Sequence, residues 1–488
     1  MPGKVAIVDI GSNTVRLVVY DTPMRLPIPI FNEKAQCELG RGMEKTGRLY
    51  PQGVPLALES LSRFINLSRA MGVKHLDVVA TAAVRDATDG VKFVAEVKRR
   101  FDLDVEVLSG DEEARMAATG LLCGVQDADG LVGDLGGGSL DLVVLNNGQF
   151  GDQGTLPLGH LRLAEIAEAG SKALRHTIRE HLENVDWVRQ AKGRTFYAIG
   201  GSWRSLARIL IDQTHHPLHV IDNFTIRAKK ARSLTKVLSH LSHDSMERIS
   251  GVPHKRMETL PFAALMMQEL LKAVEPEKVV FSGFGMREGR MLKSLPDELR
   301  KQDPLISACA SMAERIGRFA IRGDEVADWM APLFSDESEA EHRLRLAACL
   351  LADIGWSEHP DYRAEHAFHR VLRVPFAGLT HRERVLIADA VYVRYNGEAD
   401  SKLVKPVRNL LDEGQLAWVR AVGLALRLAH TISGGAPDVL SGTSLRIKGK
   451  KLFLDLPSKS SIYVGETVER RLKTLAKIFG LKGKFGNI

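Results

Sequence analysis

The stretch Val8-Asp9-Ile10-Gly11-Ser12-Asn13-Thr14 decides the fold, because the chain carries a second version of it, Gly133-Asp134-Leu135-Gly136-Gly137-Gly138-Ser139. Each copy is an apolar run ending in an aspartate, then glycine and hydroxyl residues, then a second apolar strand. Val5-Ala6-Ile7-Val8 leads into the first loop and Val15-Arg16-Leu17-Val18-Val19-Tyr20 leads out; Leu131-Val132 and Leu140-Asp141-Leu142-Val143-Val144-Leu145 frame the second. Glycines let backbone N–H groups approach an anion closely, Ser and Thr hydroxyls add donors, and an aspartate holds a hydrated cation. One such loop alone reads equally well as a hairpin with a glycine turn. The duplication points to two halves of one device for a metal-bound polyphosphate.

Further blocks accompany the pair: Leu39-Gly40-Arg41-Gly42 with Thr46-Gly47-Arg48-Leu49, Ala80-Thr81-Ala82-Ala83-Val84-Arg85-Asp86-Ala87, Ser109-Gly110-Asp111-Glu112-Glu113-Ala114-Arg115, and Leu156-Pro157-Leu158-Gly159 with Arg162. In this order the six blocks resemble the exopolyphosphatase and guanosine pentaphosphate phosphohydrolase (Ppx/GppA) family, in its long form. The resemblance implies an α/β chain of two actin-like lobes, of the sugar kinase, Hsp70 and actin (ribonuclease H-like) type, followed by an all-α HD-like domain and a small α+β tail. It implies hydrolysis of the terminal phosphate of inorganic polyphosphate, with hydrolysis of guanosine pentaphosphate to tetraphosphate as the sister activity, and a homodimer.

The Ser109–Arg115 block follows the strand Val105-Glu106-Val107-Leu108 and opens a helix. Ser109 with Glu112 makes a capping box, which occupies Glu112. Glu113, turned about 100° further around the helix, is left to face a cleft. The family places its catalytic glutamate at the second position of this pair, which is Glu113 here. By the same resemblance Asp134, and Asp9 through water, would hold Mg2+ or another divalent cation, with no organic cofactor. Gly11, Ser12, Asn13, Thr14 and Gly136, Gly137, Gly138, Ser139 would cradle phosphate oxygens, and Arg85 would fork a phosphate. The second loop departs from the family: Ser139-Leu140-Asp141 stands where Ser-Thr-Glu is usual, so Asp141, a methylene shorter, would reach a metal or a cleft arginine through water.

Domain limits are expected at 1–125 and 126–302 for the two lobes, 303–440 for the helical domain and 441–488 for the tail. Leu56 to Met71 reads as an amphipathic helix and Leu76-Asp77-Val78-Val79-Ala80 as a buried strand. Phe196-Tyr197-Ala198-Ile199-Gly200-Gly201-Ser202 and Val279-Val280-Phe281-Ser282-Gly283-Phe284-Gly285 are two more strand-to-glycine junctions, the kind that collect at a ligand crevice. Ser307 to Phe319, Ala340 to Ile354 and Arg382 to Tyr395 read as helices. Ser444 to Leu456 reads as a hairpin and Val468 to Phe479 as a closing helix.

At 488 residues with a net charge of +7, the chain carries its excess charge at one end. Residues 441–488 hold 11 Lys and Arg against 3 Asp and Glu, and the rest holds 56 against 57. Such a tail attracts polyanions. No nucleic-acid motif accompanies it, and Phe453, Tyr463, Phe479 and Phe485 supply few stacking surfaces, so a long polyphosphate fits better than specific nucleic acid. No run approaches the ~18 apolar residues of a membrane span, and Met1-Pro2-Gly3-Lys4 leads into a strand, so a cytoplasmic chain with no membrane partner is expected. Cys37, Cys123, Cys309 and Cys349 lack CxxC spacing and read as buried thiols. In the helical region Ala352-Asp353 stands where an active HD site needs His-Asp, and His359, His366 and His369 read as satisfied or solvated. A more distant alternative is an actin-like ATPase or kinase. Ile199-Gly200-Gly201-Ser202 resembles an adenosine contact, although Trp203-Arg204 would crowd an adenine.

Overall fold

The computed structural model describes every residue except 1, 2, 22, 23, 27, 242–244, 246–256, 317, 319–322, 399, 400, 458–464 and 488. Met1, Pro2, Phe319 and Tyr463, named above, lie outside the described residues. The chain divides into two compact units, Met1–Lys301 and Gln302–Ile488.

The first unit contains two sheets. One is formed by β1 (Lys4–Ile10), β2 (Thr14–Tyr20), β3 (Pro29–Gln36), β4 (Val73–Ala80) and β5 (Glu106–Val107), in the order β3-β2-β1-β4-β5. The other is formed by β6 (Gly130–Leu135), β7 (Leu140–Asn146), β8 (Gln149–Leu156), β9 (Thr195–Ile199), β10 (Phe224–Arg227) and β11 (Lys278–Phe281), in the order β10-β11-β9-β6-β7-β8. Both follow one plan. An antiparallel meander, β1-β2-β3 or β6-β7-β8, is extended by parallel strands, β4 and β5 or β9 and β11. The β-branched runs form these strands because both sheet faces are covered: Val8, Ile10, Val15 and Leu17 pack with Leu58, Leu61 and Phe64 of the helix Gly53–Ala70. Leu131, Leu142 and Val144 pack with Phe196, Trp203 and the helix Leu260–Val274.

The helix Gly110–Leu122, which the sequence division at 125 assigns to the first lobe, packs on the second sheet. Its Ala114, Ala118 and Leu121, spaced for one helix face, meet Val132, Val143, Tyr197 and Ile199. Later in the chain, the helix Met286–Ser294 sets Met291 against Ile7, Val18 and Tyr20 of the first sheet. The two helices also touch each other: a Cβ at Gly120 would lie 2.0 Å from the Gly285 carbonyl oxygen. These crossings bring the first turns of both helices to the space between the lobes.

In the second unit the helices Pro304–Ile316, Glu339–Leu350, Arg363–Arg373, His381–Arg394 and Glu413–Ser433 are joined by a small sheet. It comprises β12 (Ser444–Lys448), β13 (Lys451–Leu456) and β14 (Lys482–Asn487) in that order. The sequence misses β14, whose Lys-Gly-Lys-Phe-Gly-Asn has little intrinsic strand preference; parallel pairing with β13 creates it. Arg471, on the helix Glu466–Ile478, donates to the Thr431 hydroxyl of Glu413–Ser433, tying the tail to the helices. Asp353 accepts from Arg318 and Arg394, each at 2.7 Å, and Nδ1 of His430 lies 3.4 Å away. His366 Nδ1 lies 3.0 Å from Glu358. All four cysteines are free and buried.

Candidate functional site

The two glycine turns are built alike. The Gly11 N–H donates to the Thr14 carbonyl at 3.0 Å, and the Gly136 N–H donates to the Ser139 carbonyl at 3.0 Å. Their outward carbonyls are bonded by protein: Gly40 donates to Ser12, Glu38 to Asn13, and His160 and Leu161 to Gly136 and Gly137. His160 Nδ1 also lies 2.7 Å from the Gly136 oxygen, which places its proton on that nitrogen. Among the described residues, the N–H groups of Ser12, Asn13, Gly137 and Gly138 have no protein acceptor. Unbonded N–H groups in consecutive turn residues make an anion-binding concavity.

The turns meet. A Cβ at Gly137 would lie 3.0 Å from Ser12 Cβ, and one at Gly138 would lie 2.9 Å from Ser12 Oγ and 3.1 Å from Ala82 Cβ, so glycine allows this approach without displacing Ser12 or Ala82. Between them lies a cavity of about 160 Å³ whose walls include Asp9, Gly11 to Thr14, Glu113, Asp134, Gly136 to Ser139 and Asp141. Arg16, Arg204 and Arg287, which the motifs do not single out, line it too.

Glu113 arrives as its cap geometry requires. The Ser109 N–H donates to Glu112 Oε2 at 2.9 Å and the Glu112 N–H donates to Ser109 Oγ at 3.3 Å. Glu113, one residue on, accepts from Arg85 Nη1 at 3.0 Å. Its side chain is 13% exposed, and burial pushes its carboxyl up to about 7, opposed by Arg85 and reinforced by Asp134 and Asp9. Asp134 is pushed up to about 6, chiefly by burial, with Arg204 opposing and Asp9 adding. Asp9 and Asp141 are raised for the same first cause.

Arg85, expected to fork a phosphate, is bonded in this structure to protein groups beside Glu113. Its Nε donates to Asp86 at 3.0 Å and its Nη1 to Leu108 O at 3.1 Å as well as to Glu113, and it is absent from the cavity wall. Asp86 in turn accepts from Arg162 at 2.8 Å, so an ionic chain runs from Glu113 across to the second lobe. Asp141 is fully buried and accepts from Thr155 at 2.7 Å. Trp203 is directed away from the cleft: it packs edge-on to Phe196, with its ring N–H on Ala263 O at 3.1 Å. Of that pair Arg204, and not Trp203, lines the cavity, which corrects the expectation that Trp203 would help crowd an adenine.

The donor set suits a hard cation in one particular way. Among the described residues, no group of three or more His, Cys, Asp and Glu converges to hold a metal outright. Two buried carboxylates flanked by free amides match the small cation that keeps water and phosphate oxygens in its shell.

The model of the Ppx/GppA phosphatase family matches residues 18–298, and that of the exopolyphosphatase C-terminal domain matches residues 305–485. The chain is 25% identical over 468 residues to retrograde regulation protein 2 of Saccharomyces cerevisiae, covering 86% of this chain and 79% of that one. It is 24% identical over 307 residues to exopolyphosphatase 1 of Mycobacterium tuberculosis, covering 60% and 89%. It is 22% identical over 473 residues to the guanosine-5'-triphosphate,3'-diphosphate pyrophosphatase of Photobacterium profundum, covering 93% and 91%. The crystal structure of an exopolyphosphatase from Cytophaga hutchinsonii superposes with a TM-score of 0.53 at 22% identity, over 59% of this chain and 96% of that one, a likeness of fold: two actin-like α/β lobes. Paired glycine turns, the repeated sheet plan and a family match over more than half its length place one conclusion beyond the motifs: the chain belongs to the Ppx/GppA phosphatase family.

Proposed function

We propose that the chain is an exopolyphosphatase that removes the terminal phosphate of inorganic polyphosphate, with Glu113 as the general base. The observation that carries this reading is Glu113 itself, a buried carboxyl on the wall of an anion-binding cavity, poised at about 7, where it accepts a proton from water at neutral pH. Water oriented by Glu113 attacks the terminal phosphorus in line. Its proton passes to Glu113. The bond from that phosphorus to the bridging oxygen breaks, and the shortened chain leaves with the electron pair as a phosphate anion. The free amides of Ser12, Asn13, Gly137 and Gly138 hold the non-bridging oxygens while charge develops on them.

Asp9 and Asp134 would hold Mg2+ or another divalent cation, with Asp141 behind them; when bound, the ion neutralises phosphate charge. Arg85 orients Glu113 and keeps it from drifting to a still higher value. A second reading, hydrolysis of guanosine pentaphosphate, is favoured by the Photobacterium relative, which aligns with 93% of the chain. A side-by-side assay of phosphate release from polyphosphate and from guanosine pentaphosphate, with no other nucleotide present, tests both. Release from polyphosphate at the higher kcat/KM is expected. Faster release from the nucleotide replaces the first reading by the second, and release from neither overturns both.

A further inference from the structure

Two sequence blocks take no part in the chemistry above: Leu39-Gly40-Arg41-Gly42 with Thr46 to Leu49, and Leu156-Pro157-Leu158-Gly159 with Arg162. They belong to different lobes, and folding brings them together. The helix Met43–Thr46 lies within the first block, and the helix His160–Ile166 continues the second. The Gly42 N–H donates to Glu165 Oε1 at 2.8 Å, and Lys45 pairs with Glu168 at 2.6 Å. Arg162 donates to Glu44 at 3.3 Å and to Asp86 at 2.8 Å.

These contacts are unequal. Lys45 and Glu168 are both exposed, and an ion pair in water contributes little. Arg162 is 13% exposed, and its Nε is buried with no acceptor among the described residues. A buried guanidinium with an unmet donor is a poor source of stability, which points to another role for it in this seam between the lobes. Its helix starts on the second glycine turn. His160 and Leu161 donate their backbone N–H groups to the Gly136 and Gly137 carbonyls at 3.1 and 3.0 Å, so that turn sets where Arg162 stands.

Across the seam Arg162 meets a carboxylate that is already shared. Asp86 Oδ2 accepts from Arg162 and Asp86 Oδ1 accepts from Arg85 Nε at 3.0 Å, while Arg85 Nη1 donates to Glu113 at 3.0 Å. Arg85 thus divides its charge-assisted bonds between two acids. Taking Arg162 away leaves Arg85 as the cation on Asp86 among the described residues, and the bond to Asp86 then competes with the bond to Glu113.

We propose that Arg162 is a positioning residue for the hydrolysis: it neutralises Asp86 from across the seam and so leaves the Arg85 guanidinium to hold Glu113 in the orientation the attacking water requires. The base is set when the helix carrying Arg162 is seated against the first lobe, the arrangement in which the two glycine turns also meet. Arg162 acts on the orientation of the base and not on the phosphates, so it belongs to turnover and not to binding. The inference rests on the hydrolase reading above, with Glu113 as its base, and adds what holds that base in place.

The test measures phosphate release from polyphosphate by the full-length chain with Mg2+ present. Arg162→Met should lower kcat about tenfold with KM within about twofold, since a general base loses part of its orientation while the phosphate cradle is unchanged. Arg162→Lys, which keeps a cation at the seam, should lose less. In an Asp86→Asn background, Arg162→Met should change kcat less than about twofold, because no acid remains to draw Arg85 from Glu113. Lys45→Met, which cuts the neighbouring exposed pair without touching Asp86, should leave kcat within about twofold. The assignment is overturned by a kcat for Arg162→Met within about twofold of the unsubstituted chain, or by a rise in KM as large as the fall in kcat. It is overturned equally by the same loss in Lys45→Met, by the same loss with and without Asp86→Asn, or by Arg162→Lys as slow as Arg162→Met. Failure of the hydrolase reading is seen separately, as absence of phosphate release from any polyphosphate by the unsubstituted chain.

Discussion

The hairpins β1-β2 and β6-β7 share a strand plan, a turn closed by the same hydrogen bond at 3.0 Å and an aspartate at the turn's entrance. They differ at the residue opposite that aspartate, Arg16 in one and Asp141 in the other. Both line the cavity that Glu113, Arg204 and Arg287 also line. On the proposed reading, duplication would supply a symmetric cradle for phosphate oxygens, and the charge difference would make it directional. A hydrolase needs that asymmetry, because base and leaving group belong at opposite ends of one bond.

The largest expected effect comes from removing the base on the acidic side. Glu113→Gln should lower kcat for phosphate release from polyphosphate by about a hundredfold to ten-thousandfold, with polyphosphate affinity within about threefold of the unsubstituted chain. Near-native turnover in a single-turnover assay would show that the acidic hairpin does not carry the base.

Next come the equivalent aspartates. Asp134→Asn and Asp9→Asn should each lower kcat/KM by about a hundredfold and raise the Mg2+ concentration for half activity, Asp134→Asn by more, because among the described residues Asp9 has an arginine at ion-pair distance, Arg287 at 4.0 Å. Equal effects would mean that the charge difference between the hairpins does not reach the metal.

A smaller effect tests the contact between the turns. At Gly138 a Cβ would stand 2.9 Å from Ser12 Oγ and 3.1 Å from Ala82 Cβ, whereas at Gly136 its nearest neighbour is 3.4 Å away. Gly138→Ala should destabilise by about 1–3 kcal/mol in chemical denaturation. Gly136→Ala should cost under about 1 kcal/mol. A reversed order would show that the turns do not meet as described.

The smallest effect is in the pH dependence of stability. Glu113 and Asp134 sit at about 7 and about 6 in the folded chain, above their ordinary values. Between the ordinary carboxylate range and these values the folded chain binds more protons than the unfolded one, so stability falls as pH rises through that window. Thermal melts without divalent cations should show Tm decreasing from about pH 5 to pH 7.5, with a flatter profile in Asp134→Asn. An unchanged slope would place the titrating groups elsewhere.

Much of the site was legible because its signals are local. The Ser109–Glu112 capping box fixes where a helix starts, and that start fixes which of two adjacent glutamates is free. The glycine turns announce themselves by composition and by repetition. Arg204 and Arg287 were not legible: each sits in the first turn of a helix entered from a strand-to-glycine junction, and nothing in the local pattern says that two such turns, far apart in the chain, share one cavity. Arg16 carried a usable signal, since counting back across the hairpin from Asp9 finds it. The partners of Arg85 were not legible, because the sequence offers it several acids and only packing selects Glu113 and Asp86.

By itself the sequence determined two glycine-turned hairpins, a capped helix presenting Glu113 and a basic end to the chain, since turn chemistry, cap chemistry and alternation act over a few residues. Tertiary structure decided that the helix Gly110–Leu122 packs on the second sheet, that β14 exists at all, and that three arginines and two aspartates line one cavity. Those outcomes depend on which distant apolar faces bury one another, and burial is a property of the assembled chain that no short window of residues contains.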